Sequence, residues 1–268
     1  MKKIRMYSSY TDSHAEMFER FFEPTVPESF ELCAFKFDQE CPTGEYHSKG
    51  WVQAVARKIE VIRDGIERAI EEGDDFIMFS DCDIQYFEDC AQDITRLMQY
   101  HDFIAQDDDV YCTGFMAIRC DDRARFMWKW CAENLEKYGC DQPTGNAFIK
   151  YHQRYTIRAK MLPKPLWFGA MKEHAEAGEM RFGKFPRMEY FNHMHLGTEP
   201  AVWDGESEIK VSPEQLSRMR MMHANYTQGI ENKIKLLELF AELKRTHAAK
   251  ASGHTEAKAS VPETVSAS

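Results

Sequence analysis

Asp75-Phe-Ile-Met-Phe-Ser-Asp-Cys-Asp-Ile-Gln-Tyr-Phe87 decides how this chain is read. An apolar run over 76–79 is entered from Gly73-Asp74-Asp75, stops at Ser80-Asp81-Cys82-Asp83 and resumes at Ile84. So short a continuous apolar run reads as a buried strand of a sheet covered on both faces. Open α/β sheets place their ligands at the carboxyl ends of such strands. In extended chain, residues i and i+2 share a side, so Asp81 and Asp83 can converge on one point. Two like charges converging there call for a cation, and oxygen ligands suit Mn²⁺ or Mg²⁺, ions that carry diphosphates on their remaining positions. In a chain with 44 acidic residues most Asp-x-Asp pairs are solvated loop carboxylates. Placement at a strand end is what singles this pair out.

The 268 residues, 43% hydrophobic and 13% aromatic, suffice to bury one substantial core. A net charge of -10 argues against non-specific nucleic-acid binding, which needs clustered basic charge. No stretch approaches the ~18 apolar residues of a membrane span, and no apolar segment follows the basic start of the chain. The expectation is a soluble, cytoplasmic protein. Eight cysteines without a Cys-x-x-Cys pair read as reduced, partly buried thiols rather than a zinc site.

Outward from the central strand, the pattern predicts strands over 4–10 and 30–37, with a helix over 15–22 between them. Apolar residues at helical spacing from Val52 to Ile70 predict a helix over 51–72, ended by Gly73. Beyond the acidic pair come a helix over 90–100, a strand over 102–106 and the stretch 111–119, which has strand character after Gly114, a glycine that marks a close backbone approach. A helix over 121–138 follows. Another opens at 140, with Asp141 as its expected N-cap and Pro143 in its first turn. Residues 155–162 read as a strand, and 234–243 as an amphipathic helix. From 247 to 268 the composition predicts a disordered tail after a single domain spanning 1–246.

Several short motifs occur in a set order: Ser13-His14 with Met17 and Phe21-Phe22-Glu23-Pro24, Gln39-Glu40-Cys41-Pro42-x-Gly44-Glu45-Tyr46, and Gly50-Trp51 before Arg57-Lys58. Phe79-Ser80-Asp81-Cys82-Asp83-Ile84-Gln85, Cys112-Thr113-Gly114-Phe115, Asp141-Gln142, and His223-Ala224-Asn225-Tyr226 through Gly229 to Asn232-Lys233 follow. Together they resemble the nucleotide-diphospho-sugar transferase family of glycosyltransferases, over roughly residues 4–243. The resemblance implies the GT-A fold: a single Rossmann-like α/β domain with a mixed, mainly parallel central sheet flanked by helices. It implies Mn²⁺ (or Mg²⁺) and transfer of a sugar, with retention, from a nucleoside diphosphate, UDP above all, to a hydroxyl acceptor of unknown identity. Carried over by residue, Asp81, Asp83 and His223 resemble the metal ligands. Lys233 resembles the lysine beside the leaving diphosphate, and Thr113, Gly114, Asp141 and Gln142 would face sugar and acceptor. Ser8, Tyr10, Lys58, Ser80, Asn225 and Gly229 complete the implied binding set.

The end of the chain departs from the family pattern. His-x-x-Gly-x-x-Lys is replaced by His-x₅-Gly-x₃-Lys, and His193 or His195, with Gly197 behind them, is a rival third ligand. No glutamate stands where a covalent nucleophile would. Three functions compete: transfer to an acceptor, hydrolysis of a sugar nucleotide, and a silent nucleotide-sugar-binding domain. A nucleotidyltransferase is disfavoured, because no Gly-rich, cation-bearing loop follows the first strand.

Overall fold

The structure, a computed structural model, describes residues 2–41, 48–196 and 202–259. Pro42, Gly44, Glu45, Tyr46 and Gly197 of the sequence motifs lie outside the described residues.

The chain starts with strand β1 (Ile4–Tyr10). An irregular helical stretch follows, with a 3-10 turn at Asp12–His14, the α-turn α1 (Ala15–Met17), a π-turn at Phe18–Phe22 and a 3-10 turn at Glu23–Thr25. Strand β2 (Phe30–Lys36), helix α2 (Trp51–Glu72), β3 (Phe76–Ser80), β4 (Ile84–Tyr86) and α3 (Ala91–Leu97) come next. Then follow β5 (Phe103–Asp108), β6 (Val110–Arg119), α4 (Asp122–Tyr138), α5 (Asp141–Lys160) and α6 (Gly169–Ala177). The remainder is β7 (Phe182–Lys184), β8 (Tyr190–Asn192), α7 (Pro213–Arg218), β9 (Met221–His223) and the long α8 (Ile230–Ala259).

Six strands form the main sheet in the order β2-β1-β3-β6-β5-β7. The β1·β2, β1·β3 and β5·β7 pairs are parallel, and β6 runs antiparallel to both β3 and β5. The sheet is therefore mixed and mainly parallel, as expected. Strand alternation divides its side chains between two core layers. Tyr7, Ile77, Phe79, Phe103, Met116 and Ile118 pack under α2, α4 and α5, while Met6, Met78, Ile104 and Phe115 pack on the other face with Phe22 and Tyr86. Helix α2 crosses β1 closely enough that a Cβ on Gly65 would lie 3.1 Å from the Tyr7 ring. A second sheet, β4-β9-β8, and α8 enclose a third cluster around Phe191, Trp203, Met222 and Phe240.

Three expectations need correction. Residues 155–160 belong to α5, and 161–162 to the turn after it, not to a strand. Phe148, His152, Thr156 and Ala159 are buried at helical spacing, and the exposed Ile157 mimics strand alternation. Asp141 is not the N-cap of α5; Cys140 holds that place, and Asp141 is the first helical residue. Helix α8 continues to Ala259, past the start of the expected tail at 247, and 260–268 lie outside the described residues.

The start of β5 is pinned by charge. Asp102 is 2% exposed and accepts from the Arg181 backbone N–H at 2.9 Å, the Arg181 guanidinium at 3.0 and 3.1 Å and Arg123 at 3.2 Å. Burial pushes its carboxyl up, but the Arg181 hydrogen bonds and the Arg123 charge outweigh this and hold it at about 2. The folded value lies below the ~3.9 of an unfolded aspartate, so the ionised group stabilises fully above pH ~4, and the gain disappears as pH falls toward ~2. Asp102→Asn is expected to lose on the order of 2 kcal/mol in urea unfolding at neutral pH, and to lose stability less steeply between pH ~4 and ~2.

Candidate active site

A cavity of about 860 Å³ opens at the carboxyl ends of β1 and β3. That volume is within the range of small-molecule sites. One wall comes from the end of β1 and the first turns of α2, including Tyr10, His14, Phe37, Trp51, Arg57 and Lys58. Asp81, Asp83, His223 and Lys233 stand on another side, and Thr113, Gly114, Asp141, Gln142, Asn225 and Tyr226 on a third.

The chain turns sharply after β3, and the Asp81 N–H donates to the Gly114 carbonyl at 2.7 Å. Strand β4 then pairs with β9 in a register that sets Ile84 opposite His223, while Ala224 N–H donates to the Asp83 carbonyl at 2.9 Å. Ligand atoms of Asp81, Asp83 and His223 thus all lie within 4.8 Å of one another, with His223 Nε2 3.2 Å from Asp83 Oδ1.

The imidazole is oriented from behind. Gln106 donates through Nε2 to the Tyr190 carbonyl at 3.2 Å, so its Oε1 is the atom that faces His223 Nδ1 at 2.7 Å. An oxygen there accepts, which places the proton on Nδ1 and leaves the Nε2 lone pair toward the carboxylates. Space is left by Gly114: a Cβ on it would lie 2.4 Å from His223 Cε1 and 2.7 Å from Asp81 Oδ2.

Two lysines reach the same carboxylates. Lys233 Nζ donates to Asp83 Oδ2 at 2.5 Å. Lys58 Nζ lies 2.8 Å from both Asp81 Oδ1 and Asp141 Oδ2. Burial opposes the charge on Asp83, but the Lys233 ammonium outweighs it and holds the carboxyl well below its usual range. Asp141 is likewise penalised by burial and held ionised by Lys58, by Thr113 Oγ1 donating at 2.6 Å and by Cys140 Sγ at 3.1 Å. Three carboxyl groups thus face two ammoniums and one imidazole nitrogen, with burial pushing the Asp81 carboxyl up against the pull of Lys58. This donor set fits a hard or borderline divalent cation such as Mn²⁺ or Mg²⁺.

The other expected residues divide. Gln142 donates to the Tyr226 hydroxyl at 3.3 Å, and Asn225 Nδ2 to Asp108 Oδ2 at 3.0 Å. Gly229 and Tyr10 line the cavity, with one face of the Tyr10 ring stacked on Phe18 at 4.0 Å. Ser8 and Ser80 do not line it. Ser8 is buried within β1, and only Ser9 and Tyr10 at the end of the strand reach the cavity, while Ser80 accepts from the Tyr86 hydroxyl at 2.9 Å. The rival histidines are not in the ligand group. His195 Nε2 lies 2.6 Å from the Asp107 carbonyl, and His193 is buried.

Sequence reasoning assigned no role to Gln106, Asp108, Tyr226 or His14. Asp108 is a buried carboxylate that also accepts from Asn192 Nδ2 at 2.6 Å, so it fixes Asn192 and Asn225 together. Tyr226 takes a left-handed backbone, φ 52°, to face Gln142. Burial and then the Lys233 charge lower His14 to about 4, so it is neutral at physiological pH. The acidic run 107–109, the Ser13-His14 pair and the His223-Ala224-Asn225-Tyr226 motif signalled three of these, and nothing signalled Gln106.

The sequence matches the profile of the nucleotide-diphospho-sugar transferase family over residues 27–237, most of its length. The chain belongs to the nucleotide-diphospho-sugar transferase family. A solved structure described as that of a glycosyltransferase involved in the glycosylation of the major capsid of PBCV-1 superposes on this transferase with a TM-score of 0.51 at 10% identity. The match covers 88% of this chain and 99% of that one, and it shows the shared fold, the GT-A arrangement. The apo structure of the bifunctional glycosyltransferase WbbM matches at 9% identity and a TM-score of 0.46, over 83% of this chain and 45% of that one, and adds nothing to the assignment. No curated protein sequence matches the chain. The transferase is thus a glycosyltransferase that draws on a nucleotide-sugar donor. No helix among its described residues is long and apolar enough to cross a membrane.

Gly114→Ala is expected to leave the far-ultraviolet circular dichroism spectrum unchanged and to remove any rise in melting temperature produced by Mn²⁺, because the methyl group would displace His223. A rise equal to that of the unaltered chain would place the cation elsewhere. Gln106→Leu, which frees the imidazole, is expected to weaken Mn²⁺ about 10–100-fold in the same titration.

Proposed function

We propose that this transferase moves a sugar from a nucleoside diphosphate, UDP above all, to a hydroxyl acceptor with retention of anomeric configuration, using Mn²⁺ or Mg²⁺ held by Asp81, Asp83 and His223. The observation that carries this reading is the convergence of those three ligand atoms, with Lys233 attached, on one side of a single cavity. A cation bound there offsets the charge on the departing diphosphate.

The chain's own residues divide the remaining work. Cleavage of the anomeric bond puts negative charge on a phosphate oxygen, and the Lys233 ammonium, already at the metal group, stabilises that charge as it develops. The aromatic wall of Tyr10, Phe37 and Trp51 suits a nucleoside, and Asp141, Gln142 and Thr113 suit the hydroxyls of the sugar. Asp141 is the one cavity carboxylate near that side, and both its oxygens are engaged: Oδ1 by Cys140, Oδ2 by Lys58 and Thr113. A carboxylate so held orients hydroxyls better than it attacks carbon. Retention then proceeds without a covalent enzyme intermediate. The bond from the acceptor oxygen to the anomeric carbon forms on the face that the phosphate oxygen leaves, and the acceptor proton passes to that oxygen.

The reading is tested by release of nucleoside diphosphate from UDP-sugars with Mn²⁺, with and without acceptor sugars. Transfer requires release stimulated by an acceptor. Acceptor-independent release would make the protein a hydrolase, and binding without release a silent nucleotide-sugar-binding domain. Lys233→Ala is expected to lower kcat about 100–1,000-fold with little change in KM. Asp83→Asn is expected to abolish the metal-dependent thermal shift while the protein stays folded.

A further inference from the structure

Residues 150–172 contain six lysines and arginines and no aspartate or glutamate, in a chain whose net charge is -10. Lys150, Arg154 and Arg158 recur every four residues and form one exposed stripe on α5, and Lys160, Lys164 and Lys172 are exposed at the corner between α5 and α6. Lys160 and Lys172 are paired with Glu179 and Glu176 of the α6 region, at 2.7 and 3.8 Å. Among the described residues, Lys150, Arg154, Arg158 and Lys164 form no ion pair.

The same corner presents large apolar side chains to water. Ile157 is 59% exposed, Met161 78%, Leu166 50% and Phe168 73%. Ile157 on α5 and Met161 at its C-cap are four residues apart, beside the cationic stripe. The loop that carries Leu166 and Phe168 is tied down rather than free. The Trp167 indole N–H donates to the carbonyls of Ala159 and Leu162 at 3.2 and 3.1 Å, folding the loop back onto the end of α5. With Trp167 held inward, its neighbours Leu166 and Phe168 stay outside. Pro163 and Pro165 stiffen the 3-10 turn between them.

We propose that this corner is a docking surface for an anionic lipid bilayer. An apolar ridge flanked by long cationic side chains matches the boundary between acyl chains and charged headgroups, where the ridge inserts and the lysines and arginines reach out to phosphates. An acidic protein partner would complement the charge, but would leave four protruding apolar side chains needing a matching pocket. A bilayer takes them without one. Helix α5 begins at Asp141 in the cavity and is 20 residues long, so the corner lies about 30 Å from the site and docking leaves the cavity open. The proposal is independent of which sugar is transferred.

Co-sedimentation of the full chain with vesicles tests it without any activity readout. The chain is expected to sediment with phosphatidylcholine vesicles that contain phosphatidylglycerol, to remain in solution with phosphatidylcholine alone, and to be released by raised salt. Each cation near an anionic leaflet changes partition about fivefold, so Arg154→Glu with Arg158→Glu is expected to lower it about 25-fold or more. Leu166→Ser with Phe168→Ser removes the inserted groups and is expected to lower it about tenfold or more. All four side chains are exposed, so unchanged melting temperatures are expected in both double variants. Equal partition to neutral and anionic vesicles, no sedimentation with either, or either variant binding like the unaltered chain would overturn the proposal.

Discussion

Lys58 and Lys233 against Asp81, Asp83 and Asp141 make the interaction on which the site's architecture depends. The five side chains come from α2, the β3–β4 turn, α5 and α8, elements far apart in the chain. Asp83 and Asp141 are 5% and 4% exposed, and carboxylates so buried are tolerated only when paired. Each element therefore has a charge-based reason to meet the others at one point. Lys58 is shared between Asp81 and Asp141, while Asp83 is met by both Lys233 and His223. The carboxylate and imidazole atoms gathered there within 4.8 Å of one another make a donor group that suits a divalent cation.

Geometry reaches His223 through strand register. Because Ile84 sits opposite His223 in the β4·β9 pair, the imidazole is brought beside Asp83 by backbone hydrogen bonds rather than by its own contacts. A slip of one residue would turn the ring to the other face of the small sheet. Gln106 then selects the tautomer, and the missing Cβ of Gly114 provides the room. Backbone, amide and glycine thus act on one nitrogen.

Periodicity exposed most of the scaffold. The continuous apolar run over 76–79, the 3.6-residue spacing over 51–72 with its stop at Gly73, and the strand patterns at 4–10 and 30–37 each met an element of the structure. It failed at 155–162, where a helix buries a narrow stripe and shows Ile157 to solvent for a reason outside the fold's core. Among site residues, Asp81 and Asp83 were legible because i, i+2 spacing is local. Gln106, Asp108 and Tyr226 were not, because each acts through a partner 84 to 117 residues away.

Helix α5 carries charge of opposite sign at its two ends, and helix electrostatics accounts for only part of it. Asp141 in the first turn and Arg158 and Lys160 in the last turn complement the macrodipole. That effect fades within a turn of the terminus, so it gives no reason for Lys150 or Arg154 in mid-helix, or for Lys164 beyond the end. Internal pairing gives none either, since these three form no ion pair among the described residues. In a chain with a ten-charge acidic excess, cations without ion pairs gather around Met161 and Phe168, which are left exposed to water. Cations and apolar groups that the folded chain does not use are most simply explained by a surface outside it that is both charged and apolar.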